Sequence, residues 1–213
     1  TQGSGRRVGK SMLLDTIEQW GRWIGAAALL VPLGAIFWGL WAGLRRPVGR
    51  VTGHPQWILR APVYLLGSLI YFGLWIILWR PLPLAFSIPA RWGTLILGGL
   101  LYLPGLGLIL WGRLTLGEMY NASSGFGVQL YDRHRLITHG PFAHVRHPMY
   151  LGILIAALGG CLMYRTWTLV FITANFLGLA YRARREEQAL AAEFGKQWDA
   201  YSQRVPAWMP RLH

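Results

Sequence analysis

The run Gly140-Pro141-Phe142-Ala143-His144-Val145-Arg146-His147-Pro148-Met149-Tyr150-Leu151-Gly152 holds the densest chemistry in the chain. It reads as a helix start at a membrane surface. Pro148 suits the first helical turn, where its missing N–H would have no partner in any case. The free N–H groups beyond it, with the positive end of the helix dipole, can bind a carboxylate or a phosphate. Arg146 and His147 add positive charge, Tyr150 falls within the first turn, and Gly152 permits close approach of a ligand or another helix. A basic anchor capped by proline accounts for the same residues without any ligand. A second run, Arg182-Ala183-Arg184-Arg185-Glu186-Glu187, starts where the last apolar segment ends. Arg182 and Glu186 share a helix face at i and i+4. They form either a weak solvated ion pair or a charged pair at the membrane lip that holds a polar headgroup and a cationic ligand together. His134, His139, His144 and His147 raise the question of zinc, since imidazole is a common metal ligand. Their spacings match no familiar zinc signature and Cys161 is the single cysteine, so no metal site is expected.

Elements must position these groups. A chain of 213 residues allows one or two domains. Charged residues make up 14%, well below the roughly 25% of a soluble domain, and hydrophobic residues make up 54%. The net charge is +13, and the long apolar runs make lipid headgroups rather than nucleic acid the better counter-charge. The 12 Trp and 9 Tyr suit a membrane interface. No cleavable signal peptide is evident, and Thr1 to Gly5 reads as a linker.

A bilayer core needs about 20 apolar residues per helix. Trp23 to Leu44, Ala61 to Trp79 and Trp92 to Gly112 meet that need, each closed by arginine. Arg113 to His147 is a polar stretch, too long for an idle connection in a compact domain. Met149 to Tyr164 and Thr166 to Tyr181 are two shorter apolar segments separated by Arg165, a natural helical hairpin. In Arg182 to Arg204 the residues Leu190, Phe194, Trp198 and Tyr201 share one helical face, which predicts an amphipathic helix ended by Pro206. Met12, Leu13, Ile17 and Trp20 suggest a short interfacial helix over 11–20. Gly98, Gly99, Gly105 and Gly107 offer small faces for helix contact in the third span.

The expected fold is therefore an all-α polytopic membrane protein. It has about five transmembrane helices, the last two a hairpin, and a cytosolic C-terminal amphipathic helix. Residues 1–22 form a tail, 23–112 three spans and 113–213 the chemical region. With five spans, one side receives the 45–60 loop, the 113–147 loop and the C-terminal region. That side holds fourteen arginines and lysines, among them Arg45, Arg46, Arg60, Arg133 and Arg211, against seven on the other. The positive-inside rule puts the richer side in the cytosol and the N-terminus outside it. Both polar regions then face one compartment and can build one site.

The spacing of these residues resembles the isoprenylcysteine carboxyl methyltransferases and the related phospholipid methyltransferases. The family pattern G-x-[YF]-x-x-x-R-H-P-x-Y-x-G is matched by Gly140, Phe142, Arg146, His147, Pro148, Tyr150 and Gly152. After the hairpin it continues through Arg182, Glu186, Glu187, Leu190, Phe194, Gly195, Trp198, Tyr201, Val205, Pro206 and Pro210. The resemblance covers roughly residues 129 to 210, and the earlier spans match only as hydrophobic helices. It implies S-adenosylmethionine as cofactor, bound by His134, Arg135, Leu136, Ile137, Phe142, His147, Pro148, Met149 and Tyr150. An upstream glutamine contributes in the family, and Gln129 is the candidate. Arg182 and Glu186 correspond to the family's substrate-side pair. Phe142 stands where tyrosine is frequent and lacks its hydroxyl.

The chemistry agrees. Aromatic faces attract a sulfonium, and Phe142 and Tyr150 can supply them. Helix N–H groups, Arg146 and His147 can meet the amino-acid carboxylate of the donor. The expected activity is methyl transfer to a lipophilic acceptor from the bilayer, with an isoprenylcysteine-like carboxylate first. A phosphatidylethanolamine-type amine and a thiol are alternatives within the class. Outside it stand an NADPH-dependent membrane reductase and a basic membrane scaffold. Beyond the acceptor, membrane lipids are the expected partners and nucleic acid is not.

Overall fold

The computed structural model describes residues 2–43, 48–52, 61–120, 123–124, 127–131 and 134–210. Arg45, Arg46, Arg60, Arg133 and Arg211, which enter the charge asymmetry, lie outside the described residues. Seven helices follow in chain order: α1 (Gln2–Gly43), α2 (Ala61–Ile77), α3 (Ile88–Leu116), α4 (Pro148–Tyr164), α5 (Trp167–Ala174), α6 (Phe176–Phe194) and α7 (Lys196–Arg204). Among the described residues two helical stretches are long and apolar enough to cross a membrane, Met12–Ala42 within α1 and Ile88–Met119, which is α3 with the 3-10 turn that follows it. Only 17% of the apolar window in the first is buried. A soluble core helix would be mostly buried, so this apolar surface is not that of a core helix. The helix α4 is apolar but has 17 residues, and α5 has 8. These are short of a full span, and a count of five is not established.

The bundle is built on α3 and α4. Gly98, Gly105 and Gly112 of α3 face Gly159, Gly152, Ala156 and Met149 of α4. A methyl group on Gly105 would stand 2.5 Å from the Ala156 nitrogen, and one on Gly152 would stand 2.7 Å from the Gly105 carbonyl. Backbones this close need glycine, and the closeness supplies the packing that holds helices together in lipid. Gly99 and Gly107 face open space instead, so only half of the expected glycine face is an internal contact. Helix α1 closes the third side. The Tyr102 hydroxyl donates to the Gly25 carbonyl at 3.2 Å and the Tyr164 hydroxyl to the Arg22 carbonyl at 2.7 Å.

Several boundaries differ from the expectation. No separate interfacial helix precedes the first span: α1 runs unbroken from Gln2, including most of the stretch read as a linker. Its Met12, Leu13 and Trp20 are exposed, while Leu14 and Glu18 turn inward. The hairpin turn falls at Arg165, in the left-handed conformation (φ 54°). The second arm then bends at Asn175, whose side-chain amide donates to the Phe171 carbonyl at 2.7 Å and competes with the helix ladder. The amphipathic helix does not begin at Arg182. Good helix formers carry α6 straight from the apolar segment through Phe194, and the break comes at Gly195 (φ 48°). Even so, Leu190 and Phe194 pack against a core of Trp198, Tyr201 and Val205, as the shared face implies.

The polar loops contain a small sheet that an all-α architecture does not include. Strands β1 (Val48–Thr52), β2 (Ser123–Ser124) and β3 (Gly127–Tyr131) form an antiparallel sheet in the order β1-β3-β2, with Val51 opposite Gln129. It joins the two loops expected to share one side.

Candidate active site

The chain enters α4 through a 3-10 turn at Gly140–Ala143. Gly140 has φ 61°, and a side chain there would press on Thr115 of α3. The backbone N–H of Arg146 donates to the Pro206 carbonyl at 2.9 Å, and that of His147 to the Ala207 carbonyl at 3.2 Å. The Tyr201 hydroxyl, whose pKa burial pushes up to about 12, donates to the Phe142 carbonyl at 2.8 Å. The C-terminal tail thus ties down the start of α4.

A cavity of about 1140 Å³, open mouth included, lies against this start. Along α4 its wall passes from His147 through Tyr150 to Ile153, and along α6 from Leu190 through Glu186 and Arg182 to Leu179. The charged groups of α6 therefore sit between apolar ones. In the middle, the Tyr150 hydroxyl donates to Glu186 Oε1 at 2.5 Å. Arg182 Nε donates to the same oxygen at 3.4 Å, and its guanidinium lies 5.6 Å from the Tyr150 ring centre. The next residue, Glu187, turns to the other side of the α4 start. Its Oε1 is 2.8 Å from His147 Nε2 and 3.1 Å from Arg146 Nε. Burial would raise the Glu187 pKa, but the His147 hydrogen bond and the charges of His147 and Arg146 outweigh it and hold the carboxyl low. The His147 ring stacks on Tyr150 at 5.7 Å with 16° between planes.

Of the residues expected to bind the donor or the acceptor, all but Gln129 line this cavity: His134, Arg135, Leu136, Ile137, Phe142, His147, Pro148, Met149, Tyr150, Arg182 and Glu186. Gln129 sits on β3, and its side chain lies outside the described residues. One expectation needs correcting. Arg146, His147 and their N–H groups do not stand ready for a donor carboxylate. The N–H groups bond the tail, and both side chains face Glu187. Arg135 is the exposed cation of the cavity, with no ion pair among the described residues. Burial lowers the His134 pKa against a smaller opposing effect of Glu193.

Sequence reasoning missed several parts. Ile36 of α1 and Leu116, Met119 and Tyr120 from the end of α3 also line the cavity, and nothing in their local pattern marks them. Glu187 was visible as the second of two adjacent glutamates. Trp208, whose ring centre lies 5.3 Å from that of His147, had no signal beyond its place between Pro206 and Pro210. Among the described residues no group of three or more His, Cys, Asp or Glu side chains is arranged to hold a metal.

Residues 99–192 match the model of the isoprenylcysteine carboxyl methyltransferase (ICMT) family. The protein-S-isoprenylcysteine O-methyltransferase of Schizosaccharomyces pombe is 35% identical over 81 residues, 37% of this chain and 34% of its own length. The cobalt-zinc-cadmium resistance protein CzcN of Cupriavidus metallidurans is 33% identical over 126 residues, 58% of this chain and 55% of its own. A solved structure of the eukaryotic intramembrane Ras methyltransferase ICMT aligns with a TM-score of 0.48 and 24% identity, over 71% of this chain and 53% of its own. The chain thus spans about a third to a half of these relatives. The stretch that matches the family model, residues 99–192, holds the start of α4, its stacked aromatic rings and the Arg182–Glu186 pair.

Proposed function

We propose that the chain is an integral-membrane methyltransferase that uses S-adenosylmethionine and modifies a lipophilic acceptor, foremost the carboxylate of an isoprenylcysteine-like substrate. The observation that carries this reading is one cavity in which the Tyr150–Glu186–Arg182 group is set among apolar side chains, Ile153 and Leu179 on one side and Leu136, Ile137 and Leu190 on the other. The charged group suits the polar parts of a donor and an acceptor, and the apolar lining suits a lipid tail. Aromatic residues support the embedding. Trp23 and Trp41 on α1, and Trp92 and Trp111 on α3, are 18 and 19 residues apart. That is about 27–28 Å of helix, close to the roughly 30 Å hydrocarbon core. The cytosolic placement of the site rests on the arginine asymmetry.

The residues present fit such a donor. Phe142 and Tyr150 offer ring faces to a sulfonium. Arg135 offers a cation to its carboxylate, and Leu136, Ile137 and Met149 an apolar wall to its purine. When bound, the donor supplies an electrophilic methyl group. Arg182 then holds the acceptor carboxylate in line, and Glu186 fixes both Arg182 and Tyr150. Glu186 Oε1 accepts from two donors already, which leaves it poorly placed to take a proton. A carboxylate acceptor needs no base, so positioning and exclusion of water carry the rate. An amine acceptor would need one.

The test is incubation of the purified full chain with isotope-labelled donor and, in turn, a prenylated cysteine, phosphatidylethanolamine and a small thiol. Mass spectrometry should find a base-labile methyl ester on the prenylcysteine. A methylamine or thioether as the main product would replace the acceptor, and no product from any of them would sink the reading.

A further inference from the structure

We propose that residues 205–210 form a strap that sets the geometry of the donor-binding face, with Trp208 as a positioning residue for His147 and Tyr150. This rests on the donor reading above. The strap leaves α7 at Val205, whose N–H donates to the Tyr201 carbonyl at 3.0 Å and whose side chain is buried with Trp198 and Tyr201. Pro206 and Ala207 then accept from the N–H groups of Arg146 and His147. The residue capping α4 is therefore held by the far end of the chain, because His147 makes no side-chain cap of its own. Its ring is consequently available for other contacts.

Trp208 uses that freedom. Its ring centre lies 5.3 Å from His147 and 6.5 Å from Tyr150, so three rings form one packed group. Of these, His147 and Tyr150 line the cavity and Trp208 lies outside it. Trp208 is half-buried, whereas the next residue, Met209, is 80% exposed. A two-torsion indole wedged behind an imidazole restricts its rotation at little entropic cost. With Glu187 fixing Nε2 from one side and Trp208 the ring plane from another, His147 has one orientation, and it presents Tyr150 to the donor in the same way.

The experiment compares the full chain with Trp208→Ala and Trp208→Phe in detergent. The His147 ring proton resonance, assigned with a His147→Gln variant in histidine-labelled protein, reads the stack without any ligand. Titration with S-adenosylhomocysteine reads the site. Trp208→Ala should move the His147 resonance downfield toward the free imidazole and weaken binding about tenfold. Trp208→Phe should restore most of both, with melting temperature as the control for folding. An unmoved resonance in Trp208→Ala, or unchanged affinity despite a moved one, would overturn the strap's role. Failure of the parent chain itself to bind would instead overturn the donor reading, and with it this proposal.

Discussion

The two ends of the bundle each gather acidic groups with several cations, yet they are built for different work. At the end away from the cavity, Glu18 is 4% exposed and receives Arg91 and Arg165, at 2.8 and 2.7 Å, with Arg22 at 3.6 Å. Arg91 also reaches Asp15. These charges come from α1, α3 and the α4–α5 turn, and they spend themselves on one another. At the cavity end, Glu186 and Glu187 sit side by side but face different partners. Glu187 lies outside the cavity lining, hydrogen-bonded to His147 and in ion-pair range of Arg146. Glu186 instead lies on the cavity wall with Tyr150 and Arg182. Paired charges without a void hold elements together, whereas charges that border a void are available to a ligand. The difference lies in the neighbouring space rather than in the residue types.

Substitutions should separate the two ends. The largest effect is expected on turnover: if the proposed function is right, Arg182→Ala and Glu186→Ala should lower methyl transfer by at least about a hundredfold, because the proposal has them hold the acceptor in line. Melting temperatures should stay near the parent value, because both side chains are partly exposed. Glu18→Gln should do the opposite. Leaving Arg165 and Arg22 without that countercharge, while Arg91 keeps Asp15, should cost roughly 3–5 kcal/mol of stability, with donor affinity of the folded protein unchanged. Calorimetric melting and ligand titration on the same preparations check both. Equal behaviour of the two sets would abolish the distinction.

A finer version tests the packing that joins the ends. Gly105→Ala and Gly159→Ala should each cost about 1–3 kcal/mol by forcing α3 and α4 apart. Gly99→Ala and Gly107→Ala, which face open space, should stay within about 0.5 kcal/mol. Melting curves in one detergent decide this.

That contrast also shows what the sequence made legible. Four glycines in one helix were equivalent on paper, and only their facing towards α4 tells Gly105 from Gly107. The site residues on α4 and α6 were legible because each run is local, so spacing alone brings Arg182 and Glu186 onto one face. Ile36 and Tyr120 were not, because they reach the cavity through the packing of α1 and the turn after α3. The break between α5 and α6 at Asn175 falls inside one apolar segment, where the local pattern does not mark it. The small sheet was missed for a related reason: Val48–Thr52 and Gly127–Tyr131 are five residues each, too short to stand out, and pair only because both loops share a side.

The smallest effect concerns pH. The Glu187 pKa lies below its ordinary value of 4.5 when folded, so its stabilisation is complete above that value and is lost only as pH falls through the lowered one. His134 also has a lowered pKa, from the ordinary 6.5. The unfolded chain therefore takes up that proton first, and stability declines as pH drops from about 6.5 toward the folded value. His134→Phe should flatten the melting temperature between pH 6.5 and 5, while Glu187→Gln should leave that slope intact and act only at lower pH. A slope unchanged in His134→Phe would place the titrating group elsewhere.

Calorimetric titration of the full chain in detergent with S-adenosylhomocysteine tests the central claim most directly, with Tyr150→Ala and Glu18→Gln alongside. The account predicts saturable one-to-one binding that Tyr150→Ala abolishes and Glu18→Gln retains. Absence of binding by the folded parent chain, or binding that survives in Tyr150→Ala, would contradict it.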